Sequence, residues 1–345
     1  MNYAIILAGG IGSRFWPLST DAKPKQFLSL CSNQPLLVQS IKRVSSLTDK
    51  TNTYIATNKI YKTLALNCLK KLHIPKSNFL FEQDRKNTLA PISVLANIIF
   101  AKDKKAVIAV FPSDHFIKNK REFLRVLKKA IELAKRGNIV TLGIIPQRPE
   151  IGFGYIKIKG RGTAGFGVDK YIEKPDLKTA EKLVRNKKYY CNAGIFVFKA
   201  QTLLEEIKRI QPGVSKILSN IKDKKDLDRL WKKFPAVSID YAIMEKSNKL
   251  KLIPLNCGWS DLGSWQAIEE IREKDKNGNI FICKNVDLES RDTLVWSDYR
   301  LVATLGLKGL IIVDTKDALL VCSKDKAQEV KKIVEILKSK KKQIE

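Results

Sequence analysis

Blocks of apolar and polar residues alternate along the first half of the chain. Four short and almost continuously apolar runs predict strands at Tyr3–Ala8, Thr53–Ala56, Ala106–Phe111 and Ile139–Gly143. The stretches between them predict helices around Leu36–Ser45, Tyr61–Leu72, Ala90–Ala101 and Arg121–Ala134. Apolar strands separated by helices indicate a parallel sheet that is covered on both faces. Because such sheets bind ligands at the carboxyl ends of their strands, the loops after Leu7 and Phe111 are the first places to search.

The pattern changes twice further along. Residues 150–198 are rich in glycine and predict an inserted, partly antiparallel region with strands at Tyr155–Lys159, Lys170–Glu173 and Gly194–Phe198. Helices are then predicted at Gln201–Ile210 and Val214–Lys233, and an apolar segment follows at Lys251–Cys257. After Lys274–Asn279, closely spaced β-runs predict a small β-roll or solenoid; they are Ile280–Lys284, Thr293–Trp296, Leu301–Leu305, Leu310–Asp314 and Ala318–Cys322.

These patterns predict an α/β protein with two domains. The larger one, residues 1–274, is expected to hold a Rossmann-like mixed, mainly parallel sheet. The smaller one, residues 275–345, is expected to be β-rich and to end in an amphipathic helix, because Val330, Ile333, Val334 and Leu337 recur at helical spacing.

The composition of the chain limits the classes of function that it can have. Of 345 residues, 44% are hydrophobic, and the net charge is +29. The lysines are spread along the whole chain without a recognisable nucleic-acid-binding motif, so a compositional bias explains the charge better than nucleic-acid binding. No leader and no membrane-spanning run is seen, which favours a cytoplasmic protein without a membrane partner. The six cysteines lack metal-site spacing and only two histidines occur, so carboxylates would have to hold any metal, which points to Mg²⁺ or alternatively Mn²⁺.

The loop after the first strand carries the strongest local signal. It contains Gly9, Gly10 and Gly12, followed by Arg14 and Lys25. Glycines let main-chain N–H groups approach a polyphosphate closely, and the two basic side chains add fixed positive charge. The spacing is neither that of a Walker A loop nor GxGxxG. Such a turn can also serve packing alone, but the added basic residues favour nucleotide binding.

Two aspartates follow apolar runs. Asp114 lies in Phe111-Pro112-Ser113-Asp114-His115, and Asp261 lies in Trp259-Ser260-Asp261-Leu262-Gly263. Both carboxylates could share one divalent ion that bridges phosphate groups. Alternatively, each could simply cap a helix, with Asp261 capping a helix over residues 263–272.

Polar residues beside two further strands suit a sugar phosphate. Glu173 could accept hydrogen bonds from sugar hydroxyls, and Lys174 could neutralise a phosphate; a surface ion pair before Pro175 is the alternative. Asn192 precedes the apolar run of residues 194–198 and suits hydroxyl recognition, although Asn is also common in turns.

The motifs together resemble one family. LAGGIGSRFWPLS, KPKQF, FPSDH, FGYI, EKP, NAGIFVF, SIDYAIMEK and WSDLGSW occur in this order. In this they closely resemble sugar nucleotidyltransferases that act as mannose-1-phosphate guanylyltransferases, over essentially the whole chain. The resemblance is to the short form without an isomerase domain, and it implies a GT-A-like nucleotidyltransferase fold with a β-helix-like C-terminal segment.

The resemblance implies a Mg²⁺-dependent reaction of GTP with α-D-mannose 1-phosphate that gives GDP-mannose and pyrophosphate without a covalent enzyme intermediate. By similarity, Arg14 and Lys25 hold the pyrophosphate, and Asp114 and Asp261 bind the metal. The residues implied to bind the nucleotide are Leu7, Ala8, Gly9, Gly10, Gly12, Ser13, Glu82, Asn87 and Thr88. Those implied to bind the sugar phosphate are Gly154, Tyr155, Glu173, Lys174 and Asn192.

Recognition of the base is the weakest part of the resemblance. The family pattern is close to EPxxRNTAP, whereas this chain has Gln83 in place of the first proline, Lys86 in place of the arginine, and the later proline displaced to Pro91. Another hexose 1-phosphate or nucleotide is therefore a rival, and a non-catalytic nucleic-acid-binding protein is a remote one. Retention of both aspartates argues against the latter. The oligomeric state is left open, a homodimer being compatible with the resemblance.

Overall fold

The chain folds into two compact units that are not consecutive in sequence. The computed structural model describes residues 2–160 and 165–340. The first unit comprises Met1–Gly9, Ser40–Ser113 and Ile117–Trp259; the second comprises Gly10–Gln39, Asp114–Phe116 and Ser260–Glu345. The division into residues 1–274 and 275–345 stays a prediction, and its last residues, 341–345, lie outside the described part of the chain.

Strands and helices alternate through most of the chain. The strands are β1 (Asn2–Ala8), β2 (Thr53–Asn58), β3 (Phe79–Glu82), β4 (Val107–Pro112), β5 (Phe116–Ile117), β6 (Ile139–Ile144), β7 (Gly154–Lys159), β8 (Phe166–Glu173), β9 (Tyr189–Lys199), β10 (Leu250–Pro254), β11 (Trp259–Ser260), β12 (Ile280–Leu288), β13 (Leu294–Leu305), β14 (Leu310–Asp314) and β15 (Leu319–Ser323). The helices are α1 (Leu36–Val44), α2 (Lys62–Leu69), α3 (Leu89–Lys102), α4 (Lys120–Lys135), α5 (Leu177–Val184), α6 (Ala200–Ile210), α7 (Pro212–Ser219), α8 (Lys224–Leu230), α9 (Ile239–Ala242), α10 (Gln266–Glu269) and α11 (Val330–Lys340).

The first unit is built on a nine-stranded mixed sheet. Its strand order is β3-β2-β1-β4-β9-β6-β10-β8-β7, with β9 also paired to β7. Strands β3, β2, β1 and β4 are parallel to one another, as the alternation of strands and helices predicts. Strand β9 runs antiparallel between β4 and β6, so the predicted antiparallel insertion is part of the main sheet.

The register of β1 against β4 brings two predicted ligand loops to one edge of the sheet. Leu7 is the partner of Pro112 in this parallel pair, and the N–H of Ser113 donates to the carbonyl oxygen of Leu7 at 3.0 Å. Because parallel strands end at the same edge, the chain after β1 and the chain after β4 leave the sheet side by side.

Helix α3 supplies much of the core of the first unit. Its first eight residues are all buried, among them Leu89 and Ile92 at 0% exposure. A helix that is apolar all round must be covered by other elements. Helix α4 instead has one buried face and one charged face. No helix of the described residues is both long and apolar enough to cross a membrane.

The second unit packs the loop after β1 against the C-terminal strands. Strands β12, β13 and β14 are parallel and β15 is antiparallel to β14. The Phe15 and Trp265 ring centroids are 5.1 Å apart, those of Trp265 and Trp296 are 5.8 Å apart, and the Trp265 indole N–H donates to the Trp16 carbonyl oxygen. Aromatic side chains of this size dominate the stability of a small core, so these contacts anchor the glycine loop.

Several predicted elements differ from the structure. The predicted helix Val214–Lys233 is two helices, α7 and α8, because the Asp223 carboxylate caps a new helix by accepting from the N–H of Asp226. The runs Thr293–Trp296 and Leu301–Leu305 belong to one strand, β13, and strand β3 was not predicted. The stretch 263–272 contains only the short helix α10.

Candidate active site

The glycine loop is held by main-chain contacts to the segment that follows it. The Ile11 carbonyl oxygen accepts from the Ser19 hydroxyl at 2.6 Å and from the N–H of Lys25 at 2.9 Å. Gly12 has φ +76°, and a Cβ atom built on it would lie 2.4 Å from the Lys25 Cβ. Position 12 therefore requires glycine, because an L side chain would meet both backbone strain and a steric clash.

Lys25 connects the two predicted metal-binding residues. Its side chain is buried, and its Nζ donates to Asp114 Oδ2 and to the main-chain oxygen of Asp261, both at 2.7 Å. Burial alone would raise the pKa of the Asp114 carboxyl, but the charges of Lys25 and His115 and the hydrogen bonds of the carboxylate together outweigh it, and the pKa is lowered. Asp114 is thus an ionised carboxylate, and Asp114 and Asp261 lie around one point of positive charge.

Neither aspartate caps a helix. Helix α4 is capped by Asn119, and the residue before α10 is Trp265, which has no side-chain cap contact. The Asp261 carboxylate lies over Gly263 instead, where a Cβ atom would come within 3.0 Å of its Oδ2. Neither α4 nor α10 is therefore capped by an aspartate, and the metal-binding role of both residues stays a prediction.

The donor set suits a hard divalent cation. Mg²⁺ is usually held in proteins by one or two carboxylates together with substrate phosphates. Asp114 and Asp261 supply two carboxylates, and the described residues contain no larger cluster of three or more His, Cys, Asp or Glu side chains that could hold a metal. These residues fit Mg²⁺ brought by a phosphate-bearing substrate; their role as ligands stays a prediction.

Arg14 has an unused donor. Its Nε atom is buried and has no hydrogen-bond partner within the described part of the chain. A buried donor without a partner costs about 1–3 kcal/mol. An anionic ligand would remove this cost, which agrees with the predicted contact of Arg14 with phosphate.

Glu82 is the predicted base contact with the most unusual environment. It ends β3, is 7% exposed, and its Oε1 faces the Cα of Gly9, where a Cβ atom would be 3.7 Å away. Burial raises the pKa of its carboxyl from 4.5 to about 7, against a smaller lowering by Arg85. Glu82 is therefore close to half-ionised at neutral pH, which is typical of functional carboxyl groups.

Two of the three departures from the family pattern, Gln83 and Lys86, make contacts of their own. Gln83 Nε2 donates to Asp228 Oδ1 at 2.7 Å, and Lys86 Nζ donates to the Lys232 carbonyl oxygen at 3.0 Å. The Trp231 indole N–H also donates to the Asp84 carbonyl oxygen. The loop after β3 is thus fixed by helix α8 and the turn that follows it.

The other two predicted base contacts lie in the same loop. Asn87 has φ +58°, a conformation that non-glycine residues seldom adopt, and its Oδ1 accepts from the N–H of Thr88. The Thr88 hydroxyl oxygen accepts from the N–H of Ile239, the first residue of α9. The loop therefore also positions the start of α9.

The predicted sugar contacts Gly154 and Glu173 are adjacent. Gly154 pairs with Glu173 across β7 and β8, and a Cβ atom on Gly154 would lie 2.5 Å from Glu173 Oε2 and 3.0 Å from the Tyr171 hydroxyl. The Glu173 side chain is 7% exposed and forms the anticipated ion pair with Lys174, at 3.2 Å. Burial and the nearby charge of Asp240 raise the pKa of Glu173.

Asn192 lies in a polar network that sequence reasoning did not find. Its Oδ1 accepts from the Thr141 hydroxyl at 2.8 Å, and its Nδ2 donates to the Tyr171 hydroxyl at 2.6 Å and to Asp240 Oδ1 at 2.9 Å. The Tyr171 hydroxyl donates to the same Asp240 oxygen at 2.8 Å. The available signal was the run Ser238-Ile239-Asp240, in which Ser238 caps α9 and Asp240 lies in its first turn.

The remaining predicted residues are placed as follows. Tyr155 is 0% exposed, and its hydroxyl oxygen accepts from the N–H of Glu150, so its ring belongs to a small core cluster. The Ala8 carbonyl oxygen accepts from the Thr57 hydroxyl. Ser13 begins the short 3₁₀ turn that contains Arg14. The roles proposed for these residues stay predictions.

Family models of known proteins match both the N-terminal and the C-terminal part of the chain. Residues 3–278 match the family described as nucleotidyl transferase, and residues 283–337 match the mannose-phosphate isomerase/GMP-like β-helix domain. Mannose-1-phosphate guanylyltransferases of Salmonella montevideo and Salmonella muenchen are 38% and 36% identical to it, each over 97% of this chain and 73% of the relative.

A solved structure extends this similarity to the fold. The crystal structure described as mannose-1-phosphate geranyltransferase from Thermus thermophilus has a TM-score of 0.90 at 30% identity, over 98% of this chain and 99% of that one. The predicted fold class, an α/β nucleotidyltransferase with a β-helix-like C-terminal segment, is confirmed. The chain therefore belongs to the nucleotidyl transferase family and, within it, to the mannose-1-phosphate guanylyltransferases.

Proposed function

We propose that this protein transfers the guanylyl group of GTP to α-D-mannose 1-phosphate, with release of pyrophosphate and with Mg²⁺ as the metal. The names of the curated relatives suggest the two substrates. The observation that carries the chemistry is the cluster in which Lys25 contacts both Asp114 and the Asp261 main chain. The Asp114 carboxylate, the buried Lys25 ammonium and the Asp261 main chain meet at one point, which suits a reaction in which charge moves between phosphates.

The reaction needs no nucleophile from the protein. An oxygen of the sugar phosphate attacks the α-phosphorus of GTP in line, the bond from that phosphorus to the β-phosphate bridging oxygen breaks, and pyrophosphate leaves. Positioning and charge stabilisation then account for catalysis.

Each group of residues has a defined task in this proposal. The main-chain N–H groups of the glycine loop and the unpartnered Arg14 Nε bind the triphosphate, and the Lys25 ammonium stabilises the charge on the departing pyrophosphate. When bound by Asp114 and Asp261, Mg²⁺ neutralises phosphate charge. Glu173 accepts from sugar hydroxyls, while Lys174 binds the sugar phosphate.

A substrate panel tests the proposal. The purified protein is incubated with Mg²⁺ and each combination of GTP, ATP, UTP or dTTP with mannose, glucose or galactose 1-phosphate, and pyrophosphate release is followed. GTP with mannose 1-phosphate is expected to give the highest kcat/KM. A higher value for another pair would move the proposal to the rival substrate, and no release with any pair would reject it.

Because of Glu82, a rise in pH is expected to increase kcat/KM for GTP and to decrease the stability of the protein. We propose that ionised Glu82 accepts from the ring N–H and amino group of guanine. Since its pKa is raised to about 7, kcat/KM for GTP should fall roughly tenfold per pH unit below pH 7. In the protein without ligand, burial favours the protonated carboxyl of Glu82. The contribution of Glu82 to the free energy of unfolding is therefore complete below pH 4.5 and is lost as the pH rises through about 7.

Glu82→Gln tests both effects. The variant should be more stable than the wild type at pH 8, by up to about 3 kcal/mol, while its kcat/KM for GTP loses the step near pH 7. Urea denaturation and steady-state kinetics between pH 5 and 9 measure the two quantities. Glu181→Gln, at an exposed position of α5, is the matched control. An unchanged pH profile of kcat/KM in Glu82→Gln would remove Glu82 from base recognition.

A further inference from the structure

The loop between β3 and α3, residues 83–88, is tied to other segments of the first unit at both of its ends. At the first end, the Gln83 amide accepts from Lys59 Nζ at 3.3 Å and donates to Asp228 Oδ1 at 2.7 Å. At the other end, the Thr88 hydroxyl oxygen accepts from the N–H of Ile239 at 2.9 Å. These contacts determine where the loop starts and ends, but they leave the course of residues 84–87 undetermined.

A buried tryptophan fixes the middle of the loop. Trp231 begins the 3₁₀ turn after α8, is 1% exposed, and has its ring centroid 5.7 Å from that of Phe234. Its indole N–H donates to the Asp84 carbonyl oxygen at 2.9 Å. An indole N–H can only donate, and a donor on a buried ring is costly to leave unpaired. Trp231 therefore favours the loop conformation that brings the Asp84 carbonyl oxygen to it.

A second hydrogen bond, two residues further along the loop, has its donor on the loop. Lys86 Nζ donates at 3.0 Å to the carbonyl oxygen of Lys232, the neighbour of Trp231. In this contact a side chain of the loop binds the main chain of the turn, whereas at Asp84 the main chain of the loop is bound by a side chain of the turn. Together the two hydrogen bonds define both the position and the orientation of the middle of the loop.

Predicted base contacts lie on either side of these two hydrogen bonds. Glu82 precedes the loop, and Asn87 follows Lys86. Asn87 has φ +58°, and a non-glycine residue keeps this backbone conformation only where the surrounding structure holds it. The fixed middle of the loop therefore determines how Glu82 and Asn87 lie relative to each other. Displacement of contact groups by about 1 Å can cost a large factor in rate, even when the substituted residue is remote from the reacting atoms.

We propose that Trp231 is a positioning residue for the nucleobase. Its indole N–H holds the Asp84 carbonyl oxygen and so keeps the loop in the arrangement in which Glu82 and Asn87 contact the base. Discrimination among nucleoside triphosphates then depends on a buried side chain that acts through the main chain of the loop. This inference rests on the proposed function.

The test removes the indole N–H and keeps an aromatic ring. Initial rates are measured for the wild type and Trp231→Phe with GTP and ATP at saturating mannose 1-phosphate, and with mannose 1-phosphate at saturating GTP. Trp231→Phe should raise KM for GTP about tenfold, which is the effect of one lost hydrogen bond, and should leave KM for mannose 1-phosphate within about twofold. The ratio of kcat/KM for GTP to that for ATP should fall by a similar factor.

A matched variant separates positioning from core packing. Phe234 is 1% exposed and packs against the Trp231 ring, so Phe234→Leu weakens the same part of the core but leaves the indole N–H in place. Phe234→Leu should lower Tm at least as much as Trp231→Phe does, because it removes more buried volume. Its ratio of kcat/KM for GTP to that for ATP should nevertheless stay within about twofold of the wild type.

Lys86→Met tests the second hydrogen bond. The substitution removes the ammonium but keeps an apolar side chain, and it should lower the ratio of kcat/KM for GTP to that for ATP severalfold. Direct contact of Lys86 with phosphate would affect both nucleotides equally, so the ratio reports on the loop alone. Lys225→Met, at an exposed position of α8, is the matched control and should leave the ratio unchanged.

Specific outcomes overturn the inference. An unchanged ratio in Trp231→Phe, equal rises of the two KM values, or an equal loss of the ratio in Phe234→Leu would each contradict it. If the wild type prefers another nucleoside triphosphate, the proposed function fails separately, and the same ratio with that nucleotide in place of GTP decides the role of Trp231. Thermal melts identify unfolding of Trp231→Phe, in which case Lys86→Met supplies the decision.

Discussion

Asp261→Asn is expected to lower kcat about a thousandfold while leaving the fold intact. Loss of one of two carboxylates that we propose as metal ligands removes about 4 kcal/mol of charge stabilisation from the transition state. The contact between Lys25 and residue 261 uses the main-chain oxygen, which the substitution does not change. Tm should therefore change little, and kcat should depend on Mg²⁺ at higher concentrations than in the wild type.

Asp114→Asn provides the informative comparison. It should lose a similar factor in kcat, but it should also lower Tm, since its carboxylate pairs with the buried Lys25 ammonium. Asp317→Asn, at an exposed position between β14 and β15, is the matched control and should be unchanged in both measurements. Pyrophosphate release over a Mg²⁺ titration and thermal melts supply the data. Near-normal kcat in Asp261→Asn would remove Asp261 from the metal site.

Gly12→Ala is expected to abolish activity and to destabilise the protein, whereas Gly10→Ala should affect activity alone. At position 12 the added Cβ atom would lie 2.4 Å from the Lys25 Cβ, and φ is +76°. Backbone strain and overpacking together cost about 3 kcal/mol. At position 10 nothing lies within 4 Å of the added atom, so stability should change by less than about 0.5 kcal/mol.

The Gly12→Ala and Gly10→Ala variants separate the structural role of the glycine loop from its role in binding the triphosphate. If the main-chain N–H groups of the loop bind the triphosphate, the methyl group at position 10 should raise KM for GTP without changing Tm. Gly213→Ala, in helix α7, also meets no atom within 4 Å and serves as the control for glycine replacement itself. An unchanged KM for GTP in Gly10→Ala would contradict the assignment of this loop to the triphosphate.

Three non-glycine residues in or beside the predicted ligand segments have a left-handed backbone conformation. Asn87, Lys174 and Leu262 have φ values of 58°, 47° and 49°, and each lies in or beside a predicted ligand segment. Non-glycine residues adopt this conformation at a cost, and a bulky residue such as Leu262 does so seldom. The surrounding structure must hold them in place, as the hydrogen bond from the Leu262 N–H to the Ser260 hydroxyl oxygen does.

Local pattern was sufficient for most elements of the fold. The apolar runs of β1, β2, β4 and β6 and the helices between them were predicted within a few residues, because strands buried on both faces are continuously apolar and the helices between them are amphipathic or apolar. Errors arose where a capping residue interrupts a helical pattern, as Asp223 does, and where a short strand such as β3 resembles a loop.

Local residue patterns were enough to predict the α/β alternation, the glycine loop with Arg14 and Lys25, the two aspartates, and the family. Tertiary structure alone decided that Lys25 contacts Asp114 and Asp261, which are 89 and 236 positions away along the chain. It also decided that Asn192 donates a hydrogen bond to Asp240, 48 positions away along the chain. Sequence patterns carry local periodicity and turn chemistry, whereas hydrogen bonds across such separations are fixed by sheet register and packing, and these emerge only when the whole chain folds.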